Sequence, residues 1–410
     1  VFKAPAGRGG RGGRGGRGGR GGRGAFAGAG GTATAEDSLG ATQIKNAITP
    51  LEGNVFLKPA DTAAAVAPTI TVTAHAAEVL LGVPVDEATK GMAGKTIKAN
   101  LIFHDKAAPA RNLVAIIRGS DPKLKGEFVA MGAHDDHIGL LQNQGADHDS
   151  LHLYNQARFA ITGMFSNRGG PRPSQAQLDS VAAIHLNLDS IRHLRPLRLD
   201  SIRNGADDDG SGSVTLLELA EAFQKAPVKP KRSLIFVWHV GEEKGLWGSR
   251  FFTDHPTVPR DSIVAQLNMD MIGRGDKIDI PVGGPAYLEL VGSRRLSAEL
   301  GDIVEAVSKT ERMPFNFDYQ YDANGHPENI YCRSDHANYA RYNIPVVFFT
   351  TGLHGDYHQV TDEPQYIDYE HMARIGQLVH DVAVKVGNLD HRVVVDSLKR
   401  NADPNARCQQ

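Results

Sequence analysis

Apolar residues in this chain cluster in short unbroken runs separated by stretches of helical periodicity. The runs IKANLIF, NLVAIIRG and EFVAMGAH end near Phe103, Ile117 and Gly132. LIFVWHVGEE then begins at Leu234, IVAQLNMDM at Ile263 and IPVVFFTTG at Ile344. A strand that is apolar throughout, rather than at every second residue, is covered on both faces. Between the runs, residues 214–223 (VTLLELAEAF) put Leu216, Leu219, Ala220 and Phe223 on one helical face, and residues 288–309 and 371–386 read likewise. The pattern predicts an α/β fold: a mixed, largely parallel twisted sheet with helices on both faces. Ahead of it, TITVT over 69–73 reads as a strand and 74–81 as a short helix, part of a small β-rich accessory segment.

Three stretches depart from this rhythm. Residues 142–203 are polar, histidine-rich and punctuated by proline and glycine, with helix-like pieces over 174–187. A break this long reads as an insertion covering the active edge of the sheet. Within it, His148 and His152 have helical i,i+4 spacing, but no complete ligand set surrounds them, so they read as a solvated helix face. Residues 388–410 form a polar tail with one apolar patch at 393–395. Residues 1–31 are low in complexity, with a Gly-Arg-Gly repeat over 7–24. Glycine maximises chain entropy there and nothing apolar offsets it, so the repeat reads as a mobile, solvated loop. The competing reading is a nucleic-acid contact by its six arginines, and the lack of interleaved aromatics weighs against it. The predicted division is therefore 1–95, 96–387 with the insertion at 142–203, and 388–410.

Bulk composition changes little. The 410 residues are 41% hydrophobic, enough for a sizeable core, and a formal charge of −2 predicts no polyanion partner. No apolar run approaches the ~20 residues of a membrane span. No signal peptide opens the chain, which also lacks a starting Met and reads as a mature or truncated form. Cys332 and Cys408 could pair in an oxidising compartment but make no disulfide framework.

The chemistry lies at the ends of the strand-like runs, where open α/β sheets place their ligands. His134 closes one run, and Asp136 two residues later can hold the other imidazole nitrogen. Asp207, Asp208 and Asp209 precede the helix over 214–223 and suit its N-terminal dipole, and suit a metal better. The same stretch imitates a calcium loop, with Asp207, Asp209, Ser211, Gly212 and Glu218 at the expected positions, but Asn204-Gly205 would break the entering helix. Glu242 and Glu243 follow the run from Leu234, and such a pair can divide metal binding from proton transfer. Asp270 lies between two methionines, where an unpaired carboxylate is costly to bury. Ser334-Asp335-His336 comes next, and then GLHGDYH, in which His354 and His358 compete as ligand.

Taken in order, AHDDH, GADDDGSG, GEEKGLWGS, NMDMIG, SDHA and GLHGDYH resemble the di-zinc aminopeptidases, secreted bacterial exopeptidases related to glutamate carboxypeptidase II and glutaminyl cyclase. The resemblance covers roughly residues 113–386 and implies a zinc peptidase domain over 96–387. It implies two zinc ions: His134 and Asp270 on one, Glu243 and His358 on the other, and Asp208 bridging both, with a cis bond between Asp208 and Asp209. Glu242 would be general base and then acid, Tyr357 would polarise the scissile carbonyl, and Asp136 would orient His134. The implied substrates are peptides with a free N-terminus, and the implied location is periplasmic or secreted. Residues up to about Lys95 resemble the later part of a protease-associated domain. Carboxypeptidase or dipeptidase action and single-zinc glutaminyl cyclase-like acyl transfer share the scaffold and stay open, with calcium binding over 207–218 a distant alternative.

Overall fold

The computed structural model describes residues 73–96, 110–141, 145–163 and 172–396, with Asp403 and Cys408. The chain divides into two compact units, Val1–Ala108 and Pro109–Gln410. In the first, helix α1 (Ala74–Leu81) is started by Thr73, whose hydroxyl accepts the Ala76 N–H at 3.0 Å. The predicted strand over 69–73 (all but Thr73), the IKANLIF run and the Gly/Arg repeat lie outside the described residues.

The second unit contains β1 (Leu113–Ile117), β2 (Phe128–His134), β3 (Ala146–Asp147), α2 (His148–Thr162), α3 (Gln175–Ala182), α4 (Leu188–Leu194) and β4 (Leu199–Asp200). Next come α5 (Gly212–Lys225), β5 (Ser233–His239), α6 (Trp247–Asp254), β6 (Ile263–Met269), β7 (Tyr287–Val291) and α7 (Ala298–Ser308). The unit continues through β8 (Asn316–Asp318), α8 (His336–Ala340), β9 (Val346–Thr350) and α9 (Tyr369–Gly387). Seven strands form one sheet in the order β1-β5-β2-β6-β9-β7-β8. The central β5, β2, β6 and β9 run parallel, β1 and β7 pair antiparallel, and β8 is parallel to β7.

Alternate residues of the unbroken apolar strands enter two separate cores, which is why no polar alternation is visible in them. Val129, Met131 and Ala133 of β2 join Leu234, Phe236 and Trp238 of β5 in one core. Leu216, Leu219 and Phe223 of α5 and Leu378, Val379 and Val382 of α9 cover it. Phe128 and Ala130 join Ile235 and Val237 in the other, under Phe252 of α6 and Tyr339 of α8. The fold is thus a mixed α/β sheet, largely parallel and flanked by helices. Truncating a fully buried leucine such as Leu216 would cost about 2–5 kcal/mol.

Two expectations need correction. The segment 288–309 is not one helix: Leu288 and Leu290 enter one core and Val291 the other, so the strand period wins until Gly292 turns the chain at φ 77°. Nor is the His148/His152 face solvated. Both side chains are buried, and the antiparallel pair of β3 and β4 closes the base of the insertion that carries them. The described part of the tail is fastened to the body: Arg232 donates to the carbonyls of Leu389 and His391 at 2.6 and 2.8 Å, and Cys332 and Cys408 form a disulfide.

Candidate metal centre

Parallel strands bring their C-terminal ends to one rim. His134 ends β2 opposite His239 of β5, Met269 ends β6 opposite Phe349 of β9, and Asp270 follows Met269. Glu242 and Glu243 follow β5, and the 352–358 loop follows β9. Chemistry drawn from four strand ends therefore meets without any long excursion of the chain.

The three consecutive aspartates face different ways. Asp209 accepts the backbone N–H groups of His134 at 3.0 Å, Gly212 at 3.0 Å and Met271 at 3.2 Å. Asp207 accepts the Gly273 N–H at 2.6 Å and the Ser211 hydroxyl at 2.9 Å. Both tie the turn to the sheet. Asp208 is left facing the imidazoles, across a cis peptide bond to Asp209, and its own N–H and that of Asp207 are held by Asp362 at 3.1 and 3.0 Å. A side chain at Gly212 could not fit, since its Cβ would lie 2.4 Å from the Asp209 carboxylate.

Around Asp208 the donor atoms converge. Its Oδ1 is 3.0 Å from His134 Nε2, which is also 3.7 Å from Asp270 Oδ1. Its Oδ2 is 3.0 Å from His358 Nε2, which is 3.1 Å from Glu243 Oε1. His137 Nδ1 lies 2.9 Å from the same Glu243 oxygen and 3.9 Å from Asp208 Oδ2. His134 Nε2, His358 Nε2, Asp208 Oδ2, Glu243 Oε1 and both ring nitrogens of His137 are buried, and none has a hydrogen-bond partner among the described residues. Buried polar atoms rarely stay unpaired. A divalent cation would satisfy them together, and imidazole nitrogen with carboxylate oxygen is a zinc donor set. The residues present therefore fit the metal.

Electrostatics point the same way. Burial disfavours charge on His358, yet the Asp208 and Glu243 carboxylates raise its pKa to about 9. His134 is likewise carried well above the usual imidazole range, against burial, by Asp208 and Asp270. Burial, reinforced by Asp270, Asp335 and Glu243, holds the Glu242 carboxyl well above the ordinary glutamate value. Glu242 lines a cavity of about 50 Å³ with Asp208, Asp270 and Tyr357, walled by Met271, Ile330, Phe348 and Leu353.

Supporting contacts fix these side chains. The Asp136 backbone carbonyl is 3.0 Å from His134 Nδ1, while its carboxylate is 3.8 Å away and accepts the Glu242 N–H at 2.9 Å. Asp136 thus bears on both His134 and Glu242. Ser334 donates to Asp270 Oδ2 at 2.7 Å and accepts from Asn268 at 3.0 Å. Arg333 donates to the Tyr357 hydroxyl at 3.1 Å, and the Tyr357 ring stacks on His358.

Other candidates lie elsewhere. His354 is buried 3.2 Å from Asp207 Oδ2, away from the Asp208 cluster. His336 stacks on Phe348 in the core, and burial lowers its pKa to about 3. His148 and His152 belong to no group of metal-ligand geometry among the described residues, and pair instead with Glu363 at 2.5 Å and Asp356 at 2.7 Å. The geometry does not favour the calcium reading: Asp209 is taken up by backbone N–H groups, Asp207 Oδ1 accepts the Gly273 N–H while its Oδ2 faces His354, and Glu218 is exposed on α5. His137 escaped the sequence reading although it stands within AHDDH, three residues past His134. Its spacing alone did not separate it from a loop histidine.

Imidazoles and carboxylates gathered around one aspartate at the parallel strand ends make two groups that could hold a metal ion. The profile of peptidase family M28 matches residues 175–383, half of the chain, and the chain belongs to that family. The match contains Asp208, Glu242, Glu243, Asp270, Tyr357 and His358, while His134 precedes it. Among curated relatives, leupeptin-inactivating enzyme 1 of Streptomyces exfoliatus is 42% identical over 78 residues, 18% of each chain. The probable leucine aminopeptidase of Trichophyton verrucosum is 36% identical over 25% of this chain and 29% of its own. Leucine aminopeptidase 1 of Sclerotinia sclerotiorum is 28% identical over 49% and 51%. The chain spans about half or less of the length of these relatives. Among solved structures, the LapA aminopeptidase of Legionella pneumophila superposes with a TM-score of 0.44 at 20% identity, over 68% of this chain and 56% of its own. The glutaminyl cyclase of Porphyromonas gingivalis gives 0.43 at 17%, over 68% and 78%.

Proposed function

We propose that this chain is an aminopeptidase that removes residues from the free N-terminus of peptides with two zinc ions. His134 and Asp270 would hold one ion, Glu243 and His358 the other, and Asp208 would serve both. The observation that carries this reading is that the two oxygens of Asp208 each lie 3.0 Å from a different imidazole. Zinc held there would polarise the scissile carbonyl and lower the pKa of water.

The chain's own groups supply the rest. Glu242, beside both clusters, takes the proton of the attacking water and returns it to the departing amine. Tyr357, held by Arg333, donates a hydrogen bond to the oxygen on which charge develops. Asp136 keeps His134 and the Glu242 backbone in register, and Ser334 orients Asp270. The apolar walls of the cavity suit a small apolar side chain, in keeping with relatives named leucine aminopeptidases. The Cys332–Cys408 disulfide supports an oxidising, extracytoplasmic location, and no described helix is long and apolar enough to cross a membrane.

A panel of aminoacyl-nitroanilides, assayed with and without chelator and against N-acetylated controls, tests the proposal. Hydrolysis should require the free amine, vanish with chelator and return with zinc. Equal cleavage of acetylated substrates, or one zinc per chain with cyclisation of N-terminal glutamine, would overturn it.

A further inference from the structure

We propose that His137 is a ligand of the second metal ion, making the two sites chemically unequal. This rests on the two-metal reading above. The first site offers one imidazole, His134, with Asp208 and Asp270. The second offers two, His137 and His358, with Asp208 and Glu243.

Five observations carry the assignment. His137 Nδ1 lies 2.9 Å from Glu243 Oε1, as near as His358 Nε2 at 3.1 Å. His137, Asp208 and Glu243 form one of the two groups of metal-ligand geometry among the described residues; His134, Asp208 and Asp270 form the other. Both His137 ring nitrogens are buried with no hydrogen-bond partner among the described residues, and the carboxylates near the ring are those of the cluster itself, Glu243 and, at 3.9 Å, Asp208. The His137 and His358 rings meet nearly at right angles, with planes 80° apart and centroids 5.5 Å apart, and each puts one nitrogen within 3.1 Å of Glu243 Oε1. The ring packs close to the Gly205 backbone, where an added Cβ would lie 2.8 Å from His137 Cγ. Zinc accommodates a fifth ligand, so a second imidazole leaves room for water. Nitrogen donors favour zinc, nickel and copper over manganese and magnesium. The second site is therefore the one that fills first with zinc, and the oxygen-rich first site is the one that exchanges.

The test is a zinc titration of chelator-stripped protein against a chromophoric competitor, with zinc X-ray absorption on protein loaded with one equivalent. The wild type should show two imidazoles on that first zinc. His137→Gln should show one, with the tighter affinity weakened by at least the about 10–100-fold that loss of a partner outside the ligand shell already causes, and circular dichroism unchanged. A wild-type spectrum with one imidazole overturns the proposal even if the variant misfolds, and so does a folded variant that binds both equivalents as the wild type does. Uptake of one zinc by the wild type sinks the two-metal reading, while the imidazole count of that zinc still decides the role of His137.

Discussion

Two buried regions of this molecule are built from the same side chains and are wired differently. Around Arg274, fully buried, the carboxylates meet fixed partners: Asp279 at 3.2 Å, and Asp362 and Asp356 at 3.5 and 3.6 Å. Asp356 also holds His152 at 2.7 Å and the Thr361 hydroxyl at 2.5 Å. Around Asp208, the imidazoles and carboxylates come equally close, yet their inner atoms find no hydrogen-bond partner among the described residues. Both regions bury charge, which is tolerable only when compensated. The first carries its own cation. The second would receive cations on the proposed two-metal reading, and Asp362 joins the two by accepting the N–H groups of Asp207 and Asp208.

Substitutions can break this contrast. The largest effect belongs to Glu242→Ala, which should lower turnover by about 10²–10⁴-fold. Its zinc content and urea midpoint should stay at the wild-type values, as read by metal analysis and an unfolding curve. Normal hydrolysis by this variant would remove Glu242 from the mechanism. Arg274→Ala should do the reverse, acting on the fold rather than the chemistry. It strands Asp279, Asp356 and Asp362, and should cost about 3–5 kcal/mol in urea unfolding.

His152→Leu should cost about 1–3 kcal/mol, because Asp356 loses its imidazole while the packing on Tyr366 is partly kept. Limited proteolysis should then cut within the insertion before the sheet domain unfolds.

Glu289 sharpens the contrast from a third side, since it has neither cation nor metal. Burial pushes its pKa up to about 8, and its hydrogen-bond partners among the described residues are the Tyr321 N–H and the Tyr287 hydroxyl. A carboxyl raised in the fold stays protonated there while the unfolded chain ionises. Stability therefore falls as pH rises from the ordinary glutamate value, and the loss is complete above about 8. Glu289→Gln should match the wild type near pH 4 and exceed it by about 1–2 kcal/mol at pH 8, measured by urea unfolding at both values.

Much of the sheet could be read from the chain because its strands are buried on both faces and appear as unbroken apolar runs. The helices over 214–223 and 371–386 showed in their periodicity. The segment 288–309 misled because Leu288 and Val291 satisfy helical spacing as well as a strand. At the site, residue types alone left Asp207, Asp208 and Asp209 open, and likewise His354 and His358. Family resemblance chose among them. The physical reason lies in contacts across more than 60 residues, such as Gly273 to Asp207 and Met271 to Asp209, which periodicity cannot show. The burial of His148 and His152 was hidden for the same reason: Glu363 and Asp356 are about 200 residues away in sequence.

The most direct test of a shared aspartate between two cations is the zinc content of the wild type and of Asp208→Asn after dialysis, with X-ray absorption to measure the metal separation. The account predicts two zinc ions per wild-type chain, about 3.5–4 Å apart, and fewer than two in the variant with no close metal pair. A wild type without bound zinc, or an Asp208→Asn protein that keeps the same pair at the same separation, would contradict it.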